Sequence, residues 1–281
     1  MKRIVYLIAL VSVFYLASCK KDNKNTSVDY AFGVEVSSDY VSAQHLLFSL
    51  SNTYFKAIYD SNLFASGTAT IDGAMINYYP DSTYQLHIFY PDWGQDDGYG
   101  NWRQGEIYAQ ADSGFFKQQF PVEISFVNFN LTKDTISADS YSYSYMGEEN
   151  GMDKFNLKVV NGSRNFEDTT GVIYFNADLS INIVKNDTIS GSSQPELLLF
   201  SGTMDGICRN GDDFSTGSTT DFMSDLSCNW MKSGVVTINF SQVEYSGTIY
   251  FSDTSVCENW YNLVIDNIDF PSKIQKPKWV K

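Results

Sequence analysis

Hydrophobic and polar positions follow four successive patterns along the chain. Residues 4–17 form an apolar run behind Lys2 and Arg3, and residues 20–30 are polar without a period. From 37 to 59, Val41, Leu46, Leu47, Leu50, Tyr54, Phe55 and Ile58 recur at three- and four-residue steps. That spacing puts them on one stripe of an amphipathic helix, and Ser37, Ser38 and Asp39 can cap its start. The helical segment, set at 35–62, is expected to lay this stripe on a sheet face. Beyond Gly67 the period falls to two.

Stretches 68–79, 84–90, 105–111, 122–130, 135–145, 154–160, 171–176, 180–184, 197–204, 235–240, 247–251 and 261–265 read as strands between Gly, Asp, Asn and Ser clusters. Alternation is clean where Tyr141, Tyr143 and Tyr145 are separated by Ser, and where Val236, Ile238 and Phe240 alternate with Thr237 and Asn239. The gaps leave no room for the crossovers that parallel strands require, so the strands are joined as hairpins. The expected fold is all-β with one N-terminal helix. An antiparallel meander of about ten to twelve strands, an elongated sheet or a sandwich, occupies 63–271, and a basic tail follows at 272–281. The tyrosine ladder is read as cross-strand packing.

Composition agrees: 19 Tyr, 20 Phe and 19 Gly accompany only 6 Pro among 281 residues. Charge excludes one class of partner. With 19 basic and 33 acidic residues the net charge is −14, the wrong sign for neutralising phosphates, so no nucleic acid is expected. The basic start, short apolar run and Leu16-Ala17-Ser18 describe a secretory leader, 1–18, too short to span a bilayer. Loss of Lys2 and Arg3 with it makes the mature chain more acidic still. Leu16-Ala17-Ser18-Cys19 resembles the lipobox of bacterial lipoproteins, which implies cleavage before Cys19 and lipid on its thiol. Residues 19–34 then form a tether, and the membrane is reached through several acyl chains rather than through charge. The expected location is the cell envelope, as an outer-membrane lipoprotein facing the periplasm or the surface.

Cys208, Cys228 and Cys257 remain, enough for one intramolecular pair. Cys228 and Cys257 flank the hairpin of 235–240 and 247–251, whose outer ends converge, so they are the expected disulfide. Trp230 and Trp260, close behind them, are expected to cover it or to join the core.

The most distinctive internal stretch is Ile88-Phe89-Tyr90-Pro91-Asp92-Trp93-Gly94-Gln95-Asp96-Asp97-Gly98-Tyr99-Gly100-Asn101-Trp102-Arg103-Gln104-Gly105-Glu106-Ile107. Its Asp-Gly turn followed by Arg-x-Gly-x-Ile resembles a family of Bacteroidota envelope lipoproteins. The resemblance continues through 122–130 and through Cys228, Gly247, Cys257 and Asn259. Trp93, Trp102, Cys208 and Glu258 depart from the family pattern. The resemblance implies location and fold and carries no activity. Asp134-Thr135-Ile136 and Asp187-Thr188-Ile189 look like the O-glycosylation acceptor of such proteins, which makes Thr135 and Thr188 candidate modification sites.

Catalytic motifs are missing. His45 and His87 stand in neither a Gly-x-Ser-x-Gly elbow nor a His-Glu-x-x-His helix, and Asp92, Asp96 and Asp97 do not follow the calcium spacing of an EF-hand. Glu148 with Glu149 and Asp212 with Asp213 read as solvated turn residues. No enzyme, metal or cofactor is expected. The preferred expectation is a non-catalytic lipoprotein presenting a β scaffold to a protein or glycan partner, with Trp93, Tyr99 and Trp102 as its candidate contacts. The alternatives are a purely structural envelope role and a hydrolase of extracellular polymer.

Overall fold

The computed structural model describes residues 30–80, 84–97, 102–185, 194–228, 230–251 and 257–274. Cys19 with its leader and the tether as far as residue 29, Tyr99, Thr188 and the tail beyond 274 lie outside the described residues; positions 31–34, expected to belong to the tether, are instead the first turn of a helix. Every described helix and strand belongs to one unit, Ala31–Lys281.

Among the described residues two helices precede the strands: α1, Ala31–Ile58, and α2, Ser61–Ser66. Asp60 caps α2 by accepting from the backbone N–H groups of Asn62 and Leu63, and Gly67 closes it in the left-handed conformation at φ 79°. Fifteen strands follow: β1 Thr68–Ile71, β2 Ala74–Tyr79, β3 Tyr84–Asp96, β4 Trp102–Ala111, β5 Val122–Leu131, β6 Asp134–Ser137, β7 Ser140–Glu149, β8 Met152–Asn165, β9 Val172–Lys185, β10 Pro195–Ile207, β11 Asp213–Asp225, β12 Met231–Phe240, β13 Ser246–Phe251, β14 Trp260–Ile265 and β15 Ile268–Lys273. They form one antiparallel sheet in sequence order. Only β6 and β7 share a place, each pairing β8 and opposite ends of β5.

The all-β meander with one N-terminal helix is therefore present, as a single sheet rather than a sandwich. The strand total exceeds the expected ten to twelve for local reasons. Asp72-Gly73 splits 68–79 into β1 and β2: both residues have positive φ, the requirement of a two-residue type I′ hairpin. Thr132-Lys133, Asn150-Gly151 and Asp266-Asn267 turn the same way. In the opposite direction, 171–176 and 180–184 are one strand, because Ile173, Phe175, Ala177, Leu179, Ile181 and Ile183 keep strict alternation through the polar Asp178. Strand β15 takes Ser272 and Lys273 out of the expected tail. It tolerates Pro271 because β15 pairs only with β14 and needs no amide donor on its outer side.

Helix α1 begins at Ala31, several residues before the expected start, and is enclosed rather than laid on a surface. Apart from Lys56 and some positions within 31–42, its residues are buried all round. Rings from distant strands close on it: Phe48 meets Phe200 of β10 at 4.3 Å, Tyr54 stacks on Tyr143 of β7 at 4.3 Å, and Phe55 meets Phe155 of β8 at 5.0 Å. Tyr141 and Tyr143 of the ladder are core residues at 3% and 1% exposure, so they offer no platform to solvent. No described helix is long and apolar enough to cross a membrane.

Candidate functional site

The segment singled out by sequence is an enlarged bulge. Strands β3 and β4 pair regularly as far as Tyr90 opposite Gly105, then resume with Gln95 opposite Arg103 and Asp96 opposite Trp102. Pro91, Asp92, Trp93 and Gly94 thus stand against Gln104 alone, and the excess chain is thrown outward. Two side chains of β4 fasten it. Gln104 Nε2 donates to the Asp92 carbonyl at 2.6 Å, and Trp102 Nε1 donates to the Trp93 carbonyl at 3.2 Å.

Gly94 makes this closure fit. It sits at φ 82°, and a Cβ there would fall 1.5 Å from Trp102 Nε1. The indole of Trp102 is therefore committed to the bulge backbone. Trp93, by contrast, is 78% exposed at the tip. The two tryptophans proposed together thus separate, one as a brace and one as a contact surface.

Beneath the bulge lies a buried polar root that the sequence reading missed. Asp97 directly follows β3 and Arg103 lies on β4; their side chains are fully buried, and the Arg103 Nη2 atom stands 3.0 Å from Asp97 Oδ2. Arg103 Nη1 donates to Thr53 Oγ1 at 2.7 Å and to Tyr90 OH at 2.8 Å, while Nη2 donates to Ser49 Oγ at 2.6 Å. Thr53 Oγ1 in turn donates a hydrogen bond to Asp72 Oδ2 at 2.9 Å, and Asp72 also holds Lys56 at 2.6 Å. Two cations and two carboxylates balance there, Arg103 and Asp97 inside the core and Lys56 and Asp72 at its edge. Burial alone disfavours the charge on Arg103, but Tyr90, Asp97 and Asp72 overcome it and hold the pKa above its ordinary value.

The signal for this root was Ser49 and Thr53, an i, i+4 pair interrupting an apolar helix. Arg103 itself reads like any charged residue at the start of a strand.

A similar polar tie holds the other end of α1. Asp39 accepts from the Arg209 backbone N–H at 2.9 Å and from its Nε at 2.8 Å, and Arg164 pairs with Asp134 at 2.6 Å while donating to Ser42 Oγ. The two guanidinium groups lie 4.9 and 4.5 Å from the centre of the Phe166 ring.

Other candidates are placed as follows. Thr135 is exposed on β6, with its hydroxyl donating to Asn130 Oδ1 at 3.1 Å. The neighbouring Asp134 is occupied by Arg164. His45 is buried and stacks on Trp230 at 4.6 Å, whereas His87 lies on the outer sheet face, stacked on Tyr108 and 2.8 Å from Glu106. Cys228 and Cys257 form the expected disulfide, with a Cα–Cα distance of 5.6 Å. Trp230 is core, but Trp260 is not. Alternation along β14 turns Tyr261, Leu263 and Ile265 inward and Trp260 outward, where the Lys273 ammonium covers its ring at 4.2 Å. Cys208 is free and buried. No metal-holding group of three or more His, Cys, Asp or Glu occurs among the described residues.

Comparison with protein-family models, curated proteins and solved structures yields no match.

Proposed function

We propose that this chain is a non-catalytic envelope lipoprotein, tethered through lipid on Cys19, that presents the 91–103 bulge to a protein or glycan partner. The observation that carries this reading is the pairing of a 78% exposed Trp93 with a fully buried Arg103–Asp97 root. A large aromatic side chain left in water carries a standing cost, and recognition sites are enriched in Trp. Holding it on a bulge pinned by Trp102 and Gln104 of β4 limits the ordering cost of binding. The leader, the lipobox-like Leu16-Ala17-Ser18-Cys19 and the polar 20–30 segment supply anchorage and reach.

Two measurements test this. Cys19→Ala should move the protein from the membrane to the soluble fraction and abolish incorporation of labelled palmitate. Trp93→Ala should retain the wild-type melting curve yet lose binding to partners in envelope extracts. Unchanged binding by that variant overturns the assignment of the bulge.

A further inference from the structure

A second site lies away from the bulge, on the face of β8–β11 turned away from α1. Tyr174 and Asn176 of β9, Asp205 and Ile207 of β10, Asp213 of β11 and Asn161 of β8 line a groove of about 360 Å³. That is the size range of small-molecule sites. The register explains its shape. Tyr174, Ile207 and Asp213 form one cross-strand row, and Asn176 and Asp205 stand in the next. One wall rises where β8 bulges: Val160 and Asn161 together oppose Asn176, and Asn161 adopts φ 49°.

The polar groups are already arranged. Asn176 Oδ1 accepts from the Asn161 backbone N–H at 3.0 Å, and its Nδ2 donates to Asp205 Oδ2 at 2.9 Å. Asn161 Nδ2 is in turn held by Asp139 at 2.8 Å. This chain fixes one oxygen of Asp205 and leaves Oδ1 for a ligand. The Asp213 carboxylate makes no hydrogen bond among the described residues, and neither does the Tyr174 hydroxyl. The Tyr174 ring is 51% exposed and touches no other ring there, and Ile207 beside it is 42% exposed.

We infer that this groove binds an uncharged sugar, with the Tyr174 ring against the apolar C–H face and the Asp205 and Asp213 carboxylates accepting from ring hydroxyls. The free groups decide the class. Carboxylates only accept, so the ligand must be rich in donors. The lining includes no Lys or Arg, so anionic sugars and phosphates are repelled. Asp213 is diagonal to Asp205 across β10 and β11, a backbone separation of about 7–8 Å. One sugar ring with its hydroxyls spans that gap, whereas a calcium ion draws its oxygens to about 2.3–2.6 Å. A half-exposed tyrosine beside an isoleucine supplies the apolar platform that a bare cation does not use.

Ligand-observed saturation-transfer NMR on the purified full-length protein tests this, with methyl glycosides of glucose, galactose, mannose and N-acetylglucosamine, glucuronate and calcium chloride as probes. At least one neutral glycoside should receive saturation on its ring C–H protons at millimolar concentration, and glucuronate should not. Tyr174→Ala and Asp205→Asn should each weaken that binding about tenfold or more, a change of about 1.4 kcal/mol, with unchanged melting curves because both side chains are exposed. Tyr174→Phe should retain it. The site is separate from the bulge, so Trp93→Ala should leave it intact. The inference is overturned if no neutral glycoside binds, if binding persists in Tyr174→Ala, if Trp93→Ala alone removes it, or if calcium is the probe that Asp205→Asn releases.

Discussion

Arg103 of β4 and Asp97, just beyond β3, meet at 3.0 Å with neither side chain exposed, both on the turn side of the bulge that carries Trp93. A pair so deeply desolvated is weak evidence of net stabilisation, but removing one member is costly because the other charge stays behind. Arg103→Met keeps much of the side-chain volume, and it strips Ser49, Thr53 and Tyr90 of a donor as well as exposing Asp97 to an apolar neighbour. It should lower unfolding free energy by about 3–5 kcal/mol. The double variant with Asp97→Asn should recover part of the loss, a coupling readable from urea denaturation as a double-mutant cycle. A loss below about 1 kcal/mol in Arg103→Met, within the range of an exposed ion pair, would show that the root does not hold the bulge.

Gly94 provides an independent handle on the same loop. Alanine there meets both a left-handed backbone at φ 82° and the Trp102 indole, which stands where the Cβ must go. Gly94→Ala should cost about 1–3 kcal/mol. It should also free Trp102 from the Trp93 carbonyl, seen as a red shift of tryptophan emission in the native state. A wild-type emission maximum in the folded variant would mean that Trp102 is not braced as described.

Alternation made much of this fold readable in advance, and composition hid the rest. Strand β12 announces itself because Val236, Ile238 and Phe240 are large and regularly spaced. Strand β11, Asp213–Asp225, does not: only Phe214 and Phe222 stand out in a run of Ser, Thr, Gly and Asp that reads as a turn. Ser224 and Thr216 face inward there and are buried by their neighbours rather than by their own character. The 91–103 segment stood out by its composition, but as a loop between strands: the sequence did not show that β3 continues to Asp96 with 91–94 as a bulge inside it. Its root was hidden too, because Arg103 becomes a core residue only when Ser49, Thr53, Tyr90 and Asp97, drawn from separate elements, close around it. The groove at Tyr174 was equally hidden, since cross-strand register alone brings Asn161, Asp205 and Asp213 beside it.

Buried phenols predict the behaviour in alkali. Burial pushes Tyr143 up to about 12, partly offset by hydrogen bonds from Ser51 and Tyr141, and raises Tyr40, Tyr54 and Tyr141 further. An unfolded tyrosine ionises near about 10. The folded state therefore holds these protons more tightly, its advantage is complete below about pH 10, and it is lost as pH rises toward the folded values. Titration at 295 nm should show an early non-cooperative group of exposed tyrosines and a later group that ionises together with loss of circular dichroism. Smooth titration of all the tyrosines near pH 10 in the folded protein would contradict the enclosed position of Tyr54, Tyr141 and Tyr143.

Thiol chemistry separates the anchored from the unanchored protein. Burial pushes the Cys208 thiol well up from its ordinary value, with Asp39 and Asp212 adding to the effect, and Cys228 and Cys257 are joined across 29 positions. The native protein should therefore give no rapid reaction with an aromatic disulfide reagent from any of these three. After denaturation without reductant, one thiol should appear if lipid occupies Cys19, and two if it does not. Reduction of the bridge should then lower stability by roughly 3–4 kcal/mol on the chain-entropy account, measured as a shift of the urea midpoint in Cys228→Ser, Cys257→Ser protein. A second reactive thiol in membrane-extracted protein would refute lipidation while leaving the fold and the disulfide untouched, so the count tests the anchor by itself.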